Sequence, residues 1–269
     1  MGCTTSIEGN DHKFIRDRFK TYEELTKALQ EAGVEACELI VGIDFTKSNT
    51  WQGGPPFYES ANLHSAYPFP NPYQRVLSIM CKSLQGLDND NLIPAFGFGD
   101  SRTTNKEVFP FLIDEYNREM PCVKLDGVLR CYNDIVNDIQ LNKIQMSGPT
   151  SFAPIINKAI QIVQETNSYH ILIIICDGAV TNEQETIQAI VKASSYPLSI
   201  ICVGVGKGPW GMMEKFDDNI RGRIFDNFQF VDFHKMMAKC ENQEVEFAHQ
   251  TLMEIPDQYA YIKKYIFKY

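Results

Sequence analysis

The chain has 269 residues, 44% of them hydrophobic, and a net charge of −9, enough for one large α/β domain or two small ones with a proper core. The acidic balance argues against a general nucleic-acid binder, which needs a basic surface to displace counterions from phosphates. The eight cysteines, Cys3, Cys37, Cys81, Cys122, Cys131, Cys176, Cys202 and Cys240, form no CxxC-type pair, so neither a zinc ribbon nor a RING is encoded. Cys176 and Cys202 lie inside apolar runs, as small core hydrophobes do in a reducing compartment. No apolar run approaches the ~20 residues that span a bilayer, and the start lacks the apolar core of a secretory signal. An intracellular protein is expected.

The start has its own chemistry. Met1-Gly2-Cys3-Thr4-Thr5-Ser6 fits the N-myristoylation pattern, with Gly2 as acceptor and Cys3 open to palmitoylation. One acyl chain holds a membrane weakly, whereas two chains, or one chain plus cations, hold it stably. Lys13, Arg16, Arg18 and Lys20 face a single Asp17 and supply the cations. Residues 1–18 therefore read as an acylated basic leader, against the alternative of an accidental Gly-Cys start. The expected location is cytoplasmic, on the inner face of the plasma membrane or another membrane, with the nucleus as a second place.

The elements then follow in order. Thr21 caps an amphipathic helix that ends near Gly33, and Leu39 to Ile43 is a strand covered on both faces. A Gly-, Pro- and aromatic-rich loop runs from Trp51 to Pro70, and Pro72 opens a helix with Val76, Met80, Leu84 and Leu87 inward. Asn91 to Asp100 reads as a strand that Pro94 keeps from being an obvious central one. Residues 103–126 are the least regular part. Helices are expected over Val128 to Gln140, Ser151 to Thr166 and Asn182 to Ser195. Strands are expected in YHILIIICDGAV, PLSIICVGVG and FQFVDF, and a terminal helix, broken near Pro256, from Asn242. This β-then-α alternation predicts one doubly wound α/β domain with a mostly parallel sheet and helices on both faces.

One stretch, GIDFTKSNTW, places Asp44, Thr46 and Ser48 just past a strand's carboxyl end, the edge where open α/β sheets bind ligands. If the backbone stays extended, the three oxygens point the same way. Thr150 closes the turn SGPT before a helix, and Asp177 follows ILIIIC. Singly these suit ordinary roles, Thr150 as a helix N-cap and Asp177-Gly178 as a turn. Together they are five hard oxygens on three loops at one sheet edge, the outline of a site for Mg²⁺, Mn²⁺ or Ca²⁺.

GIDFTKSN, NLIPAFGFGD, GPTSFAPII, CDGAVTN, PLSIICVGVGKGPW and FDDNI resemble the copine-type von Willebrand factor A domain, most closely that of the plant RING domain ligases. The likeness runs from about Phe19 to Tyr259, which gives an A domain over residues 19–259 and a helical tail over 260–269. Carried over, the family's metal-ion-dependent adhesion site falls on Asp44, Thr46, Ser48, Thr150 and Asp177, with Mg²⁺ as the first expectation. The resemblance implies that a partner's Glu or Asp carboxylate completes the cation, a site for recognition. Two departures stand out: the chain has no room for the paired lipid-binding domains of copines, and it lacks the ligases' RING. Calcium-triggered docking and ligase activity of its own are therefore not expected. Kinship with the ligases also suggests a substrate-holding or regulatory subunit in ubiquitination that works with a separate RING protein.

Catalysis finds no constellation. GVGKGPWG, Gly204 to Gly211, lacks the GKS or GKT ending of a phosphate loop and reads as a tight turn. An aspartyl-phosphate site would want a second Asp where Thr46 stands. His12, His64, His170, His234 and His249 show no paired spacing. Asp217 and Asp218, and the tail lysines Lys263, Lys264 and Lys268, read as solvated helix ends.

Overall fold

The computed structural model describes residues 19–67, 70–178, 180–238 and 243–267; Gly2, Cys3 and the rest of the leader lie outside them. The apolar run that opens at Leu39 becomes β1 (Glu38–Asp44). Its partners are β2 (Ala95–Phe98), β3 (Phe109–Pro110), β4 (His170–Cys176), β5 (Leu198–Gly204) and β6 (Phe228–Asp232). They form one six-stranded sheet in the order β3-β2-β1-β4-β5-β6. Every pairing is parallel except that of the short edge strand β3 with β2.

Pleating sends alternate side chains to opposite faces, and it divides the core in two. Leu39, Val41 and Ile43 join Ile171, Ile173, Ile175, Ile201 and Val203 on one face. Ile40 joins Leu172, Ile174, Cys176, Ile200 and Cys202 on the other. The first face is covered by α1 (Tyr22–Glu31), α2 (Pro72–Leu84), α3 (Lys124–Gln140), α7 (Phe233–Met237), α8 (Gln243–Leu252) and α9 (Ile255–Tyr265). The second is covered by α4 (Ala153–Thr166), α5 (Glu183–Ala193) and α6 (Gly211–Asp218). Helices on both faces of a mostly parallel sheet are the doubly wound α/β arrangement expected. The six cysteines among the described residues are free and buried, Cys176 and Cys202 as their apolar settings suggested. No described helix is long and apolar enough to cross a membrane.

Local signals account for the helix starts. Thr21 Oγ1 accepts from the Glu24 amide at 3.2 Å, and Asn71 forms a reciprocal cap with Gln74 ahead of Pro72. Two details differ from expectation. Pro94 splits its strand: Leu92–Ile93 pair with Cys122–Val123 in a small antiparallel ribbon, and only Ala95–Phe98 enter the main sheet, inside it beside β1. The irregular 103–126 stretch carries β3 and the ribbon Leu112–Ile113 with Glu119–Met120. The terminal helix breaks near Pro256 as expected: α8 ends before it, and Pro256 sits in the first turn of α9, where its missing N–H costs nothing. Residues 259 and 260 lie within α9, and Ile262 is fully buried, so the start of the tail packs as part of the core.

One close join of helix to sheet is at Gly42. A Cβ there would lie 2.7 Å from Ile155 Cγ1 of α4, so the strand lacks a side chain where the helix presses on it. Gly42→Ala should cost about 1–3 kcal/mol by overpacking, and Ile155→Ala about 2–5 kcal/mol by leaving a cavity. The double variant should lose measurably less than the sum in urea unfolding. Strict additivity would show that the two side chains do not share this space.

Candidate metal centre

From β1 the chain passes to β2 on one side and later to β4 on the other, so the carboxyl ends of β1 and β4 flank the topological switch point, where such sheets open a crevice. The register pairs Ile43 with Ile175. Asp44, the last residue of β1, and Asp177, the first beyond β4, therefore leave the sheet side by side.

Both carboxylates are buried. Asp44 Oδ1 accepts from the Thr46 amide at 2.8 Å, but Asp44 Oδ2 and Asp177 Oδ2 are buried with no hydrogen-bond partner. Burial first, and then the charge of Asp177, pushes the Asp44 carboxyl well above the ordinary carboxylate range. Burial likewise raises Asp177 to about 6, partly offset by a hydrogen bond from Ser48. Two adjacent buried carboxylates cannot both ionise cheaply without a counter-charge.

Past Thr46 the loop is not extended, as the alternation of oxygens had suggested; it turns into a 3₁₀ helix over Lys47–Thr50. The hydroxyls still meet, with Thr46 Oγ1 3.0 Å from Ser48 Oγ. The turn is imposed by Asn49, whose side-chain amide donates to the carbonyls of Asp44 (3.3 Å) and Thr46 (3.1 Å). Thr150 is buried but does not cap α4: the helix starts at Ala153 behind Phe152, with no side-chain cap. The Thr150 carbonyl instead accepts from the Thr181 amide at 2.9 Å, which ties its loop to the segment after Asp177. A bridge between Thr46 and Ser147 runs the same loop beside the Asp44 loop.

The glycine-rich turn after β5 buttresses the centre. A Cβ on Gly206 would lie 2.2 Å from the Asp177 carbonyl oxygen, a backbone atom that cannot step aside. Gln52 fastens this turn to the Asp44 loop, accepting from the Lys207 amide (3.2 Å) and donating to the Gly208 carbonyl (3.0 Å).

Beneath the Asp44 loop lies a network that sequence reading missed. His64, Tyr73 and Tyr132 are buried beside Asn49 and Asn71. His64 Nε2 is 2.9 Å from the Asp44 carbonyl, and its Nδ1 is 2.8 Å from the Tyr132 hydroxyl. Tyr73 donates to Asn49 Oδ1 at 2.7 Å. Burial pushes the His64 imidazole down to about 3, so the ring is neutral. No spacing rule connects residues 49, 64, 73 and 132; their only local hint was the Asn71 cap.

A separate carboxylate group, Glu38, Asp88 and Asp90, sits at the opposite end of β1, with ligand oxygens within 4.8 Å of one another. Burial, then Asp90 and Asp88, raises Glu38 to about 8. Asp217, expected to be solvated, is half-buried at the end of α6 and raised by burial to about 7.

The switch-point centre makes stability depend on pH. In the metal-free folded state the Asp44–Asp177 pair holds protons more tightly than the unfolded chain, where an Asp titrates near about 3.9. The stability this confers is fully present below that value and is lost as pH rises through about 6, the folded-state value for Asp177. Thermal melts in chelator should show this fall. Asp177→Asn should flatten it, and an unchanged slope in that variant would exclude Asp177 as its source.

The sheet order, the antiparallel edge strand and the oxygen-rich centre at the switch point define the class, an α/β domain of the von Willebrand factor A type. The copine family profile matches residues 62–268, and the chain belongs to the copine family. It is 50% identical to Copine family protein 2 of Caenorhabditis elegans over 247 residues, 91% of this chain and 3% of that protein. It is 49% identical to the E3 ubiquitin-protein ligase RGLG5 of Arabidopsis thaliana over 261 residues, 91% of this chain and 58% of the ligase. Thus the chain spans little of the worm relative and somewhat over half of the plant one. A more distant likeness is to manganese-loaded Plasmodium vivax TRAP protein, with 12% identity, a TM-score of 0.43, and coverage of 76% of this chain and 72% of that one.

Proposed function

We propose that the domain is a metal-dependent protein-binding module or adaptor. A divalent cation would be held by Asp44, Thr46, Ser48, Thr150 and Asp177, and a Glu or Asp carboxylate of a protein partner would complete it. The observation that carries this reading is the pair of buried Oδ2 atoms, on Asp44 and Asp177, that no protein donor reaches. The donor set fits the group: two carboxylates and three hydroxyls are hard oxygens, suited to Mg²⁺ first and to Mn²⁺ or Ca²⁺ as alternatives. When bound, the cation supplies positive charge, and neutral hydroxyls leave much of that charge for a partner's carboxylate. The chain's own part is to hold these oxygens in place, with partly exposed Ser48 marking the approach side. This is a site for recognition and not for catalysis.

Asp44→Ala should abolish Mg²⁺ and Mn²⁺ binding in calorimetry. Thr150→Ala removes a hydroxyl but no helix cap, so its melting curve should stay close to the parent's while partners captured in Mg²⁺ are lost, as they are in chelator. Partners that stay bound in both conditions would make the cation structural and place recognition elsewhere.

The names of the plant relatives favour a second reading, in which the domain holds a substrate or regulates a separate RING protein in ubiquitination. Membrane attachment rests on the N-terminal sequence, with Gly2 myristoylated and Cys3 palmitoylated. Gly2→Ala should move the protein from the membrane pellet to the soluble fraction, because the first chain is lost and the second commonly follows it. An unchanged distribution would remove the anchor.

A further inference from the structure

We propose that His64 is a positioning residue for the cation site, acting through the backbone of Asp44. The inference rests on the cation reading above and goes beyond the ligand oxygens themselves. The Asp44 carbonyl can only accept, so the ring nitrogen 2.9 Å from it, Nε2, carries the hydrogen. Nδ1 is then an acceptor, and the Tyr132 hydroxyl at 2.8 Å donates to it. The Tyr132 oxygen in turn accepts from Asn71 Nδ2 at 3.1 Å. The Tyr132 proton goes to Nδ1 in preference to Asn71 Oδ1, 3.4 Å away, and the Asp44 carbonyl facing Nε2 fixes the tautomer.

The carbonyl is fully used. The Tyr73 proton goes to Asn49 Oδ1 at 2.7 Å in preference to the Asp44 carbonyl at 3.3 Å. That leaves two donors on the carbonyl, His64 Nε2 and Asn49 Nδ2, for its two lone pairs. The Asp44 peptide is thereby locked about the strand axis, and with it the aim of the Asp44 carboxylate and of the Thr46 amide bonded to it. The ring has no freedom of its own. It is stacked between Phe45 (centroids 4.7 Å apart, 18° between planes) and Tyr73 (4.2 Å, 18°). Asn71 also caps α2 and Tyr132 lies in α3, so the clamp refers the cation loop to two helices that hold none of its ligands.

The test uses the full chain and Mn²⁺ as probe, with His64→Leu, which deletes the donor, and His64→Gln, whose amide can still donate to the Asp44 carbonyl. Calorimetry should show Mn²⁺ affinity about tenfold weaker in His64→Leu, the size of one lost hydrogen bond in a rigid site, and largely rescued in His64→Gln. Melting in chelator separates this from general damage: a purely structural role lowers the melting temperature of both variants without the difference in affinity. Ring ¹⁵N shifts of the metal-free parent should show Nε2 protonated and Nδ1 bare. Should His64→Leu not fold, Tyr132→Phe decides, with an expected loss of about threefold from a looser ring. Equal Mn²⁺ affinity in His64→Leu and parent, or in Tyr132→Phe where that variant decides, overturns the inference. So does a His64→Gln as weak as His64→Leu, or the opposite tautomer. A parent that takes up no Mn²⁺ overturns the cation reading itself.

Discussion

The structure turns on one pairing, β1 against β4 at the middle of the sheet. It buries two apolar strands on both faces and, by its register, delivers Asp44 and Asp177 together at the carboxyl edge. Nothing in a hydrophobic core favours two adjacent carboxylates with bare oxygens. They stand at the switch point, where the sheet opens anyway, and in the proposed binding site that local cost would be part of the function.

The surroundings are arranged around that cost. The 3₁₀ turn brings the Thr46 and Ser48 hydroxyls together. Gly206 lets another turn press against the Asp177 backbone, and Gln52 ties the two loops together. Below, neutral aromatic and amide side chains hold the Asp44 peptide. A cation site built this way would depend on rigid backbone as much as on ligand identity.

Much of this was legible in the chain. Strands β1, β4 and β5 are continuous apolar runs, and helices announce themselves by Thr21 and Pro72, so class and element order followed from local pattern. Asp44, Thr46, Ser48 and Asp177 were visible because each ends or follows such a run. The capping role open to Thr150 is denied by Phe152 and the later helix start. The extended path expected past Thr46 failed because Asn49, a single amide, recruits two carbonyls and curls the loop. His64, Tyr73 and Tyr132 stayed hidden, since each comes from a different loop or helix and only the folded sheet brings them under Asp44.

The oxygens at the switch point come from loops far apart in the chain, and they meet only once β1 and β4 are paired. Such long-range strand pairing follows costly loop closure. An ion that needs both sides of the cleft has little to hold in the unfolded chain, so occupancy would stabilise the native state by mass action alone. Its effect would fall on the rate of unfolding and leave folding speed nearly untouched unless the central pair is already formed in the transition state. The domain's lifetime, and not the ease with which it forms, would then follow the free cation concentration around it.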